Sequence, residues 1–315
     1  MKDSDEFSIL KKVFKNLGNQ YFDSSNLFIG PGDDAGLFKT KKELIFSTDT
    51  SVANVHFPKD LKPKLIAYRA CAVAASDIAA CGGKLKWLSI ALTANSKKKK
   101  WVEEFSKGIK EFSDDYKVPI IGGDLTLGKE ISVSIGACGE IDKKYFMRRN
   151  GGKEKDLIFV TGNLGEASIG LNLLKQKKQN LKSAEKICLK RFLKPEINFL
   201  FSQDLSKIAN SCIDISDGLM ADLNHICEQS NLKAEINLDN MPLIGNAIKA
   251  ITWGDDYQLC FTISSSKIKK LTEISKKHNV KITNIGKLTK GKGISVLSKG
   301  KKINIKKAGY NHFNG

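Results

Sequence analysis

Short apolar runs alternate with helix-patterned stretches through both halves of this chain, and a turn-rich segment, Arg148-Arg149-Asn150-Gly151-Gly152, interrupts the alternation between them. Strands interleaved with helices call for sheets buried against helices. At 315 residues the chain has about two domain lengths. The pattern therefore predicts two α/β (α+β) domains, at 1–148 and 149–315. In the first half, strands are expected at 44–46, 87–92, 118–121 and 131–141, and helices at 5–17, 64–81 and 97–116. The 64–81 stretch is rich in alanine, which would let its backbone pack close to a sheet. In 97–116, Trp101, Phe105, Ile109 and Phe112 share one face. In the second half, 157–160, 212–215 and 258–263 read as strands, and 218–228 and 267–278 as helices.

Composition limits the functions open to such a chain. Hydrophobic residues make up 41% and charged residues 27%, the balance of a folded protein. No apolar run approaches the ~18 residues of a membrane span, and the polar, acidic start at Met1-Lys2-Asp3 does not read as a secretory signal. The net charge of +18 suggests nucleic acid at first sight. However, the only arginines among the 52 basic residues are Arg69, Arg148, Arg149 and Arg191, and specific readout favours the planar arginine fork. A solvated, lysine-rich surface is the simpler reading. The seven cysteines form no CxxC pair and sit among small or apolar neighbours, so they read as reduced core filler of a cytoplasmic protein.

The aspartates carry the chemical information. Nine of the 20 lie in segments dense in Gly, Ser and Thr: Asp33, Asp34, Asp49, Asp77, Asp124, Asp214, Asp217, Asp255 and Asp256. Several of these segments follow apolar runs directly, where α/β folds place ligand sites. Singly, each is an ordinary turn or helix cap. Together they suggest converging carboxylates, which repel unless cations neutralise them. Hard oxygen ligands suit Mg²⁺, which typically takes one or two carboxylates plus substrate phosphates. Neighbouring glycines let phosphates approach the backbone. The expected ligands are several Mg²⁺ ions holding a polyphosphate, most simply ATP. No Walker A sequence or protein-kinase motif is present, so the ATP site is of another design.

These segments, in order, resemble those of the thiamine-monophosphate kinase family, within the wider aminoimidazole-ribonucleotide synthetase-like superfamily. The matching landmarks are Gly32-Asp33-Asp34, Ser47-Thr48-Asp49-Thr50 with His56-Phe57, Ser76-Asp77-Ile78-Ala79-Ala80, Gly122-Gly123-Asp124, Asp214-Ile215-Ser216-Asp217-Gly218-Leu219, Gly254-Asp255-Asp256-Tyr257 and Gly309-Tyr310-Asn311-His312-Phe313. The resemblance implies ATP-dependent phosphorylation of thiamine phosphate to thiamine diphosphate by direct in-line transfer. It also implies a two-domain fold and a homodimer whose N-terminal strands form an intersubunit β-barrel. By carry-over, Asp34, Ser47, Thr48, Asp49, Asp77, Asp124, Asp214 and Asp217 hold metal, with Asp49, Asp124 and Asp217 closest to the chemistry. Gly123, Asp124, Arg149 and Ser216 contact ATP; His56, Asp255 and Tyr310 line the thiamine phosphate pocket. The family often has glutamate in place of Asp255 and aspartate in place of Asn311. Bland alternatives stand beside three of these roles: a structural histidine for His56, a packing residue for Tyr310, and Arg148 in place of Arg149. The Gly162-Asn163-Leu164-Gly165 turn reads as structural rather than anion-binding. Selenophosphate synthetases and the hydrogenase-maturation relative fit less well, because neither an early nor a terminal reactive cysteine is present.

Overall fold

The structure, a computed structural model, describes residues 14, 16–31, 35–94, 99–305 and 309–310. The helix expected at 5–17 falls largely outside them, as do Asp33, Asp34, Asn311, His312 and Phe313. The chain folds as two compact units, Met1–Ile78 with Lys84–Lys143, and Ala79–Gly83 with Lys144–Gly315.

In the first unit, β1 (Leu27–Ile29) and β2 (Leu37–Phe38) form a small antiparallel pair. A four-stranded sheet is built from β3 (Glu43–Val52), β4 (Lys84–Ala94), β5 (Ile120–Leu127) and β6 (Ser132–Ile141), in the order β3-β6-β4-β5. All its ladders are antiparallel except β4–β5. The helix Pro63–Ala80 opens on proline, whose missing N–H suits a first helical position. Its Ala67, Ala70, Ala74 and Ala75 are buried, as are Phe105, Ile109 and Phe112 on the helix Lys99–Tyr116. Gly108 lies so close to the carbonyl of Lys64 that a Cβ there would clash, so the two helices meet at backbone distance. The expected apolar face is present, and the close approach of the alanine-rich helix is to the helix Lys99–Tyr116.

The second unit holds a seven-stranded sheet of β7 (Leu157–Thr161), β8 (Ser211–Asp214), β9 (Lys233–Asn237), β10 (Leu259–Ile263), β11 (Ile282–Thr289), β12 (Gly293–Ser298) and β13 (Lys301–Ile303). The order is β13-β12-β9-β11-β7-β10-β8, and only β9–β12 pairs in parallel. The central strands are apolar without alternation because both their faces are covered. Ile158, Val160 and Ile213 pack with Leu223 and Ile226 of the helix Leu219–Ser230. Phe159, Cys212 and Phe261 point the other way, toward Phe201 and Leu271 of the helices Phe199–Leu205 and Ile268–His278. Ala79–Gly83 belongs here: Ser202 Oγ donates to the Ala79 carbonyl, and the Met147 N–H to that of Cys81 at 3.1 Å. The four-stranded and seven-stranded sheets are both mixed and mainly antiparallel.

None of the seven cysteines forms a disulfide, and six are buried. Burial pushes the Cys71 thiol up to about 12, as expected of core filler. Among the described residues, no helix is long and apolar enough to cross a membrane.

Candidate active site

In the first unit Asp49 of β3 and Asp77 of the helix Pro63–Ala80 form a carboxyl pair. Strand alternation sends Ser47 and Asp49 the same way. The helix Pro63–Ala80 carries Asp77 toward them: the Ser47 hydroxyl donates to Asp77, and the Asp77 carboxyl neighbours that of Asp49. Burial, then the neighbouring Asp77 charge, pushes Asp49 up to about 6. Neighbouring carboxylates repel each other, a repulsion that a bound cation would relieve. Thr48 lies on the opposite, exposed face, so the strand does not bring its side chain to this pair.

Asp124 lies exposed on β5 and accepts a 3.0 Å hydrogen bond from Thr126 Oγ1. Its two preceding glycines differ in cause. A Cβ on Gly123 would run into the Ile90 carbonyl of β4, so strand packing requires that glycine. A Cβ on Gly122 would meet nothing within 4 Å, and it lies on Asp124's side of the strand. His56 sits in the turn after β3, where its Nδ1 accepts the Val52 N–H at 3.0 Å. An accepting Nδ1 leaves the proton of the neutral ring on Nε2.

In the second unit the sequence motifs form one turn system. Asp214 ends β8 and is buried. Ser216 and Asp217 follow, half-buried, and Gly218 at φ 116° starts the helix Leu219–Ser230. That φ excludes side-chain-bearing residues without strain. The segment is zipped to a second turn: the Asp255 N–H donates to the Ser216 carbonyl at 2.8 Å, and the Tyr257 N–H to that of Ile215 at 2.9 Å. Gly254 lies against the Ser216 carbonyl, leaving no room for a Cβ. The Tyr310 N–H donates to the Asp217 carbonyl at 3.0 Å. The fold thus brings Asp214, Ser216, Asp217, Asp255 and Tyr310 together. Arg149 is elsewhere in this unit. Its carbonyl accepts from Ser230 Oγ at 3.2 Å, at the far end of the 12-residue helix that Asp217 precedes. Such a helix is roughly 18 Å long.

Two further aspartates have structural work that sequence reasoning did not assign. Asp222 Oδ2 accepts the Asp217 and Gly218 N–H groups, each at 3.1 Å. Burial pushes it up to about 7 against the pull of those bonds. A carboxylate in the first turn after Gly218 is a recognisable capping signal. Asp256 accepts the Gly165 N–H at 2.8 Å and the Ala167 N–H at 3.3 Å. Burial pushes it, too, up to about 7. Its carboxylate fills the N-terminus of the helix Glu166–Lys175, so the Gly162–Gly165 turn is structural. Nothing in Gly-Asp-Asp-Tyr tells which of the two aspartates is turned inward.

Among the described residues, no three His, Cys, Asp or Glu side chains gather as a ready-made metal site. The carboxyl pair with the Ser47 hydroxyl is nevertheless the kind of incomplete, hard-oxygen set that Mg²⁺ shares with phosphate oxygens.

Residues 32–141 match the family model for the N-terminal domain of AIR synthase related proteins, and residues 153–299 that for the C-terminal domain. The thiamine-monophosphate kinase of Buchnera aphidicola subsp. Schizaphis graminum is 42% identical, with 98% of each chain covered. The chain belongs to the thiamine-monophosphate kinase family. The Escherichia coli K12 member is 35% identical over 98% of each chain. The crystal structure of thiamine-monophosphate kinase from Stenotrophomonas maltophilia K279a superimposes with a TM-score of 0.82 at 30% identity, covering 95% of this chain and 98% of that one. A family structure described as AaThiL complexed with AMPPCP and TMP superimposes with a TM-score of 0.75 at 30% identity, covering 99% and 98%. The hydrogenase maturation protein HypE shares the fold alone, with a TM-score of 0.74 at 13% identity. The two-domain AIR synthase-like architecture and the kinase family expected from the sequence are therefore both present.

Proposed function

We propose that this protein transfers the γ-phosphoryl group of ATP to the phosphate of thiamine phosphate, releasing ADP and thiamine diphosphate. The observation that carries the reading is the Asp49–Asp77 carboxyl pair with the Ser47 hydroxyl, in a chain that matches thiamine-monophosphate kinases from end to end. The family structure complexed with AMPPCP and TMP supports the choice of an ATP-like ligand and, reading TMP as thiamine monophosphate, of the acceptor.

The acceptor phosphate is already an anionic nucleophile near neutral pH, so no strong general base is required. The obstacle is bringing that anion against a polyanionic nucleotide. Several Mg²⁺ ions would supply charge neutralisation and align the attacking and transferring oxygens. In this chain Asp34, Ser47, Asp49, Asp77, Asp124, Asp214 and Asp217 would hold them; Thr48 could join only from the other face of β3. Asp49, Asp124 and Asp217 would stand nearest the transferring group. The open backbone at Gly122, beside Gly123 and Asp124, leaves room for phosphate oxygens, and Ser216 supplies a hydroxyl. Arg149 would contact the nucleotide away from the Asp217 turn. On the acceptor side, Tyr310 offers a half-exposed ring to a thiazolium cation and Asp255 a carboxylate. His56 would line this pocket with its ring held by Val52. Transfer is direct, without a covalent phosphoenzyme.

We also assign the protein to the cytoplasm as a homodimer. Seven cysteines with no disulfide among them support the compartment. On β3, Leu44 and Phe46 are exposed, Phe46 by 67%, and an apolar strand face of this kind is covered in an intersubunit barrel.

ADP release from ATP and Mg²⁺ is the test, measured with thiamine phosphate, with thiamine and with no acceptor. The reading predicts ADP only with thiamine phosphate, matched by thiamine diphosphate; equal ADP release without an acceptor would refute it.

A further inference from the structure

The turn Gly254-Asp255-Asp256-Tyr257 is held in an unfavourable backbone conformation. Asp255 has φ 74° and Tyr257 φ 48°, both in the left-handed region, with neither being glycine. Such residues persist only where their surroundings over-determine them, and they cluster at ligand sites. Here the outer residues of the turn are tied by main-chain bonds to Ile215 and Ser216, and Tyr257 Oη donates to Asp255 Oδ1 at 3.2 Å. The residue between them is anchored differently. Asp256 is buried, and each of its carboxylate oxygens takes one N–H from the start of the helix Glu166–Lys175.

We propose that Asp256 is a positioning residue for the acceptor site: by gripping the Gly165 and Ala167 N–H groups it fixes the strained turn that presents the Asp255 carboxylate to the substrate. The inference rests on the functional reading above, in which Asp255 faces thiamine phosphate. Two acceptor oxygens are essential to the grip. An asparagine has one acceptor and one NH₂ donor, so it would set a donor against one of the two N–H groups. The turn would then relax toward ordinary φ values, and Asp255 would leave its place. The effect on the nucleotide side would be weaker and would pass through the Ser216 carbonyl, which accepts the Asp255 N–H at 2.8 Å; neither Gly165 nor Ala167 belongs to the proposed metal or ATP set.

Steady-state kinetics of Asp256→Asn and Asp256→Glu test the assignment, with backbone amide exchange of both variants as a second readout. For Asp256→Asn the expected result is a KM for thiamine phosphate raised about 10-fold or more, roughly the loss of one buried charged hydrogen bond. The KM for ATP, linked to the turn through the Ser216 carbonyl, should rise by a clearly smaller factor than the KM for thiamine phosphate, the pattern of a loss centred on acceptor binding. The Asp255 and Tyr257 amides should exchange faster. Asp256→Glu keeps both oxygens, should fold even where the asparagine variant does not, and should show an intermediate KM. An unchanged KM for thiamine phosphate in a folded variant, with only a lower thermal midpoint, would overturn the proposal. If the wild-type protein shows no thiamine-phosphate-dependent turnover, the functional reading has failed. The amide-exchange comparison then decides the positional claim by itself: faster exchange at 255 and 257 sustains it, and unchanged exchange refutes it.

Discussion

A carboxylate pushed up in pKa is a liability to the folded protein at neutral pH, and Asp49 shows what that implies. Its folded value of about 6 lies above the ordinary 3.8 because of burial and the adjacent Asp77. Between about pH 4 and 6 the metal-free folded state binds more protons than the unfolded chain, so stability falls as pH rises through that window. Above it the penalty is complete, on the order of 2 kcal/mol after discounting for partial exposure. Asp49→Asn should therefore raise the melting temperature of the metal-free protein at pH 8 by several degrees, with the gain vanishing toward pH 4. The same variant should lose at least about 100-fold in kcat, because a group at the transferring phosphate is gone. Thermal melts across pH, beside turnover assays, check both halves; normal activity in Asp49→Asn would remove Asp49 from the chemistry. Tyr310→Ala should instead raise the KM for thiamine phosphate about 5-fold or more, given a cation–π contact of ~1 kcal/mol. Thermal destabilisation with unchanged KM would mark Tyr310 as a packing residue.

Elements were legible where periodicity is strong and each face has one fate. The face carrying Phe105, Ile109 and Phe112 was readable because every fourth or third residue is large and apolar. The central strands β7 and β10 were readable as continuous apolar runs. Strand β9 alternates only Ala234 and Ile236 with polar or charged neighbours, too short a signal to stand out. Strand pairing was beyond local pattern, since which strands become neighbours is settled by tertiary packing. The same limit applies at the site. The aspartate-rich segments were visible, but not that Asp49 and Asp124 lie within strands β3 and β5 rather than beyond their ends, that Thr48 faces away from Asp49, that Asp256 turns inward, or that Arg149 sits a helix length from Asp217. The packing of the helices Pro63–Ala80 and Lys99–Tyr116 depends on Gly108 against the Lys64 carbonyl. Gly108→Ala should lower stability by about 1–3 kcal/mol through forced separation of the helices, while leaving KM values unchanged at permissive temperature. Denaturant titration measures this, and an undiminished midpoint would show that the helices can separate without loss.

The exposed Phe46 and Leu44 on β3 should be covered by a second copy, so Phe46→Glu should shift the protein from dimer to monomer in sedimentation velocity at micromolar concentration. A wild-type monomer under the same conditions would contradict the proposed barrel. Family and two-domain architecture were recoverable because the motifs recur in a fixed order along nearly the full length, a constraint that no single turn dipeptide carries. The central claim is direct phosphoryl transfer between ATP and thiamine phosphate. Its most direct test is a single-turnover reaction with γ-³²P-labelled ATP, Mg²⁺ and thiamine phosphate, quenched and resolved by product. The account predicts label in thiamine diphosphate, with none retained on protein; label found only in inorganic phosphate, or trapped covalently on the enzyme, would contradict it.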